Sequence, residues 1–81
     1  MGGLYDLAGA LGGAGITKYS DRRLKSNIVR IGTHPLGIGI YEYDIDGSRQ
    51  RGVMADEVLT VLPEAVLTGD DGYMMVNYGV L

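Results

Sequence analysis

The sequence predicts an α+β fold: a small, mostly antiparallel β meander with one short helix at about residues 55–62, preceded by a Gly/Ala-rich N-terminal helix or linker. Three observations lead there. Runs of β-branched residues and tyrosine alternate with Gly, Asp and Pro turn signals between residues 26 and 54 and again between 65 and 78. One stretch with an apolar stripe at helical spacing, Ala55-Asp-Glu-Val-Leu-Thr-Val-Leu62, runs into Pro63, which cannot continue a helix. Finally, 81 residues is about half the length of an average domain, so one core is the ceiling.

Residues 1–19 form a Gly/Ala-rich leader in which Leu4, Leu7, Ala8 and Leu11 recur at helical spacing. A short helix to about Leu11 fits this pattern. Gly12, Gly13 and Gly15 would each cost a helix about 1 kcal/mol relative to Ala, so the chain should leave the helix there and pass into a flexible link. The leader reads either as a weakly ordered linker or as a docking helix that orders only against a neighbour. Ser26 to Ile31 reads as a strand, and after the Gly32-Thr-His-Pro35 break a β-rich run carries Ile38, Ile40, Tyr41, Tyr43 and Ile45. Asp46-Gly47 then makes a hairpin corner. Gly52-Val-Met is a short strand, and the following helix should turn Met54, Val58, Leu59 and Leu62 toward the core. A second hairpin bends at Gly69-Asp-Asp-Gly72, with Tyr73, Met75 and Asn77 on one face and Met74, Val76 and Tyr78 on the other.

Composition narrows the function classes. Gly supplies 14 residues, Phe and Trp are absent, and six tyrosines are the only aromatics, so the core lacks the usual large apolar anchors. A chain this small needs help from disulfides, a metal or self-association. With no Cys and His34 alone, a disulfide is excluded and no zinc set exists, which leaves self-association. The net charge of −3 conceals an asymmetry. All seven basic residues lie between Lys18 and Arg51, and residues 1–51 hold five acids, which gives that part a charge of +2, whereas residues 52–81 hold five acids and no base. That division suits complementarity between subunits better than a nucleic-acid partner. No apolar run is long enough to span a bilayer, no basic n-region opens the chain, and Asp6 stands where a myristoylation motif has Ser or Thr.

Other motifs fail on inspection. Gly15-Ile-Thr-Lys18 lacks the ending of a phosphate loop, and Gly13-Ala-Gly15 and Gly37-Ile-Gly39 lack the third Gly of a dinucleotide fingerprint. Asp44-Ile-Asp-Gly47 resembles the start of a calcium loop but has Gly misplaced and no later Glu. His34 is a loop histidine before Pro35, Asp56 and Glu57 belong to a solvated helix face, and Asp70 and Asp71 spell a turn. Neither a cofactor nor a metal is expected.

Five blocks occur in a specific order: Ser20-Asp-Arg-Arg-Leu-Lys25-Ser-Asn-Ile28, Tyr41-Glu-Tyr43, Gly52-Val-Met-Ala-Asp-Glu-Val58, Leu62-Pro-Glu-Ala-Val66, and Asp71-Gly-Tyr73 with Val76-Asn-Tyr78 and Leu81. Together they resemble the endosialidase-type intramolecular chaperone, an auto-processing peptidase domain at the C-terminus of phage tail fibres and tailspikes. The resemblance covers residues 20–81, leaving residues 1–19 as the leader. It implies a homotrimeric assembly, other tail or fibre proteins as partners, and a virion location after synthesis in the host cytoplasm. It also implies self-cleavage between Tyr19 and Ser20, with Ser20 as nucleophile and Lys25 as its base.

Spacing alone does not join these two residues. Five positions apart, they fall on opposite faces of a strand and roughly 140° apart on a helix, so they meet only in an irregular turn or across subunits. Read without the resemblance, Ser20 starts or caps a turn and Asp21 pairs with Arg22 or Arg23. Were Lys25 to serve as a base, burial would have to lower its pKa, and Arg22 and Arg23 should add to that. The resemblance departs from the family pattern in two ways: no long coiled-coil helix follows Leu81, and only 19 residues precede Ser20. On that ground the expected role is a structural or assembly component of a phage tail, fibre or spike, with the self-cleaving chaperone as the alternative.

Overall fold

A computed structural model describes residues 17–81. The expected leader helix to about Leu11 and the start of the link at Gly12, Gly13 and Gly15 lie outside these. Within them, two three-stranded antiparallel sheets flank one α-helix. One sheet is a meander of β2 (Ser26–Thr33), β3 (Gly39–Ile45) and β4 (Ser48–Gly52). The other has the order β1-β6-β5, from β1 (Thr17–Tyr19), β5 (Val66–Thr68) and β6 (Met74–Asn77). The helix, α1 (Ala55–Val61), lies between β4 and β5 in the chain.

Local chemistry explains most boundaries. At the β3–β4 corner, Asp46 (φ 53°) and Gly47 (φ 75°) both take the left-handed conformation, the requirement of a tight two-residue hairpin, and Ile45 pairs directly with Ser48. Helix α1 opens with Asp56 and Glu57 in its first turn, where the helix dipole favours carboxylates, and stops before the 3-10 turn that Pro63 begins. In β6 the alternation holds: Val76 is fully buried, Met74 packs against the core, and Tyr78 just beyond is 3% exposed.

Two clusters make the core. The larger joins Ile38, Ile40, Val53, Ala55, Val58, Ala65, Val76 and Tyr78; the smaller joins Tyr41, Tyr43 and Met54. Buried tyrosines thus take the place of the absent Phe and Trp, and their hydroxyls must find partners inside.

The structure corrects several expectations. Leu59 does not enter the core; it is 47% exposed, because Ala55, Val58 and Leu62 already define the inward face of this short helix and Leu59 lies about a quarter turn around from Val58. The expected link before Ser20 ends in a strand, since Thr17–Tyr19 pair with Met75–Asn77. The ladder after the hairpin corner uses Ser48–Gly52, leaving Val53 and Met54 outside the strand. Glu57 is no solvated carboxylate: it accepts from the Gly39 N–H (2.8 Å), the Tyr41 hydroxyl (2.6 Å) and Arg22 (3.1 Å), tying α1 to β3 and to the turn after Ser20. Arg22 also reaches Asp56, so part of the charge asymmetry is satisfied within one chain.

Candidate active site

The site forms where β1 ends. The backbone of Ser20 is held on both sides: its N–H donates to the Met74 carbonyl (3.1 Å), and its carbonyl accepts from the Ala55 N–H (3.0 Å). These bonds fix the Tyr19–Ser20 peptide between β6 and the start of α1. Next, Asp21 caps a 3-10 turn, Arg22–Leu24, by accepting from the Arg23 N–H. Its carboxylate also takes a two-pronged bond from the Arg23 guanidinium (3.0 and 2.8 Å) and one from the Met74 N–H (3.0 Å). Arg23 is the chief cause, with these backbone donors, that holds the Asp21 carboxyl well below the usual carboxylate range, against the opposing effect of burial. Three residues of 3-10 helix advance the chain by a single turn, which returns Lys25 to the side of Ser20.

The result is a buried cluster. Ser20 is 1% exposed and Lys25 8%. Lys25 Nζ lies 3.4 Å from Ser20 Oγ and donates to the Val53 carbonyl at 2.7 Å. It also sits 3.7 Å from Met54 Sδ and 4.0 Å from the centroid of the Tyr43 ring. Ser20 Oγ is 3.2 Å from the same Val53 carbonyl and 3.0 Å from the Tyr78 hydroxyl, which accepts from the Val53 N–H at 3.1 Å. Gly52 precedes this residue, and a side chain there would collide with the hydroxyls of both Tyr43 and Tyr78.

Electrostatics make Lys25 unusual. Among the described residues it makes no salt bridge, and burial brings its pKa down from 10.5 to about 7. Arg22 pushes in the same direction, while Asp56, Asp21 and Glu57 oppose it from farther away. Arg23, the other cation expected to act on it, is paired with Asp21 at 2.8 Å. Burial likewise raises the Tyr43 phenol, which stays neutral beside the amine. An amine that loses its proton near pH 7 within reach of a hydroxyl can serve as a general base.

Outside the cluster the described residues offer little chemistry. His34 is 5% exposed, its Nδ1 accepts from the Leu36 N–H, and burial lowers its pKa. No group of three or more potential metal ligands exists among the described residues, and no helix among them is long and apolar enough to cross a membrane. An open groove of about 290 Å³ runs beside β1, lined by Thr17, Lys18, Tyr19, Ile45, Asp46, Gln50 and Met75.

Sequence reasoning singled out Ser20 and Lys25, and the structure brings them together within one chain. It missed the Val53 main chain and the two phenols of Tyr43 and Tyr78. The tyrosines were visible as strand residues, Tyr43 in a β-rich run and Tyr78 on one face of the second hairpin with Met74 and Val76, but nothing in the sequence aimed their hydroxyls at Ser20. The family model described as chaperone of endosialidase matches residues 20–67, the segment that contains Ser20, Lys25, Tyr43 and Val53. Curated proteins and solved structures return no match. With more than half of its length matched by that model, the chain belongs to the chaperone-of-endosialidase family.

Proposed function

We propose that this chain is the chaperone domain of a phage tail-fibre or tailspike assembly and that it cuts its own backbone between Tyr19 and Ser20. The observation that carries the reading is the buried Lys25 amine, poised near pH 7 and 3.4 Å from Ser20 Oγ. In the first step neutral Lys25 takes the hydroxyl proton as Ser20 Oγ bonds to the Tyr19 carbonyl carbon. The Tyr19–Ser20 C–N bond then breaks, the Ser20 nitrogen takes up the proton, and an ester links Tyr19 to Ser20 Oγ. Water hydrolyses that ester, giving a carboxylate on Tyr19 and a free amino group on Ser20. No cofactor enters the balance.

The assembly half of the reading is a homotrimer that aids or joins the folding of a partner fibre or spike and resides in the virion. Exposed Leu59, Val61, Leu67 and Val80 support self-association, since a chain of this size gains stability by covering such side chains.

Intact-mass analysis of the purified chain, incubated folded between pH 6 and 9 over a range of concentrations, tests the cleavage. A fragment beginning at Ser20 is expected from the wild type and none from Ser20→Ala or Lys25→Ala. Only full-length wild-type chain at every pH and concentration would refute it. Sedimentation of Ser20→Ala tests the oligomer, for which a trimer is expected and a monomer at all concentrations counts against it.

A further inference from the structure

We infer that Tyr78 is a positioning residue for the Ser20 cleavage: its hydroxyl, anchored by the Val53 N–H, donates to Ser20 Oγ and turns the serine's own proton toward Lys25. The inference rests on the Ser20–Lys25 reading and adds a residue beyond the segment matched by the family model.

Tyr78 is 3% exposed, and its hydroxyl has one proton and two lone pairs. One lone pair is occupied by the Val53 N–H at 3.1 Å, which fixes where the oxygen sits. Ser20 Oγ lies 3.0 Å away. A phenol is a far more acidic donor than an aliphatic alcohol, and its ring-conjugated oxygen a poorer acceptor, so the proton in this contact belongs to Tyr78. Ser20 must then send its own proton elsewhere. The groups that can take it are the Val53 carbonyl at 3.2 Å, Lys25 Nζ at 3.4 Å and the Tyr43 phenol, of which the amine alone can remove it as a base.

Val53 supports both ends of the arrangement. Its N–H holds Tyr78, and its carbonyl holds Lys25 at 2.7 Å, so a single residue sets the span across which Ser20 lies. Gly52 leaves the space that the Tyr78 and Tyr43 hydroxyls fill. Tyr78 opens the 3-10 turn Tyr78–Val80, the last element of the chain, so the serine is not oriented until that turn has docked after β6.

Tyr78→Phe keeps the ring and removes the donor. The rate of appearance of the Ser20 N-terminus, followed by intact mass from pH 6 to 9, is expected to fall about tenfold or more. The acid limb of the pH profile is expected to move to higher pH as well. Without the Tyr78 proton, Ser20 Oγ is a stronger acceptor for the Lys25 ammonium it already meets at 3.4 Å, which stabilises the charged form. The groups around Lys25 whose charge is unchanged by the substitution are Arg22, Asp21, Asp56 and Glu57, with neutral Tyr43 over the amine. A fall in rate that merely tracks the folded fraction, with the profile unmoved, would assign Tyr78 to structure alone and overturn the inference. Equal rates and profiles for Tyr78→Phe and wild type overturn it while leaving the Ser20–Lys25 reading intact. A wild type as inert as Ser20→Ala overturns both. Should Tyr78→Phe not fold, 3-fluorotyrosine placed at position 78 alone gives a more acidic donor of nearly the same shape; faster cleavage is expected, and an unchanged rate refutes the role.

Discussion

Burying Lys25 has a cost that can be read as stability against pH. In the unfolded chain the amine keeps its proton up to about 10.5, whereas in the fold it loses it at about 7. Between those values the unfolded chain binds the extra proton, so the free energy of unfolding rises with pH at about 1.4 kcal/mol per pH unit. Below pH 7 both states carry the ammonium and the fold bears the whole penalty, on the order of 5 kcal/mol; above 10.5 it bears none. Lys25→Met removes the charge, retains most of the stem and lies among Met54 and the Tyr43 ring. It loses the bond to Val53, a contribution of about 1 kcal/mol that changes little with pH. The measurement is urea unfolding of Ser20→Ala, which keeps the chain whole, beside the Ser20→Ala, Lys25→Met double variant. The double variant is expected to be the more stable at pH 6. Its advantage should shrink by about 2 kcal/mol between pH 7.5 and 9, because the lysine chain gains stability across that interval. Titrations of Asp, Glu, His and Tyr are common to both and cancel. A difference that stays flat from pH 6 to 9 would refute the claim that Lys25 is a buried amine deprotonating near pH 7.

Asp21→Ala leaves the Met74 and Arg23 N–H groups without their acceptor and is expected to cost about 2–4 kcal/mol in denaturant unfolding. Because the fold holds this carboxyl below its ordinary 3.8, the stability it confers is present above that pH and lost as pH falls through the folded value, so the variant should show a weaker acid-induced loss than its parent. Gly52→Ala forces the Tyr43 and Tyr78 hydroxyls to move, and both a stability loss of about 1–3 kcal/mol and a slower appearance of the Ser20 N-terminus are expected by thermal melts and intact mass. Leu59→Lys, on the exposed face of α1, should leave stability to urea of the dilute chain within about 0.5 kcal/mol, and a loss above 2 kcal/mol would contradict its placement.

The parts of the fold that were legible in the sequence are those that local chemistry dictates. Asp46-Gly47 had to be a corner because few residue pairs tolerate positive φ at two successive positions. Pro63 had to end the helix, and alternation in β6 had to put Val76 on one face with Met74 and Tyr78. Leu59 was misread because a helix of seven residues has too few positions to distinguish a two-residue inner stripe from a three-residue one. The site was legible as residue names but not as geometry. Ser20 and Lys25 converge through a 3-10 turn capped by Asp21, and Asp21 is itself held by Met74, 53 residues away. Tyr78 stands 58 residues from the serine it touches, a distance across which no spacing rule operates.

The distribution of carboxylates gives the cluster its chemistry. Three cations follow Ser20 within five positions, and any of them could have taken the nearby acids. Arg22 takes Asp56 and Glu57, and Arg23 takes Asp21 through a two-pronged bond that a lysine could not make. The carboxylates that would keep Lys25 protonated are therefore committed to guanidinium groups, which never lose their charge in this pH range. Lys25 is left with a carbonyl, the Ser20 hydroxyl, a thioether and a ring, partners that hold it in place without supplying a full negative charge. The same two arginines that anchor the turn thus keep the amine free to release its proton, and exchanging the arginine and lysine positions would preserve net charge while taking the titrating amine away from Ser20.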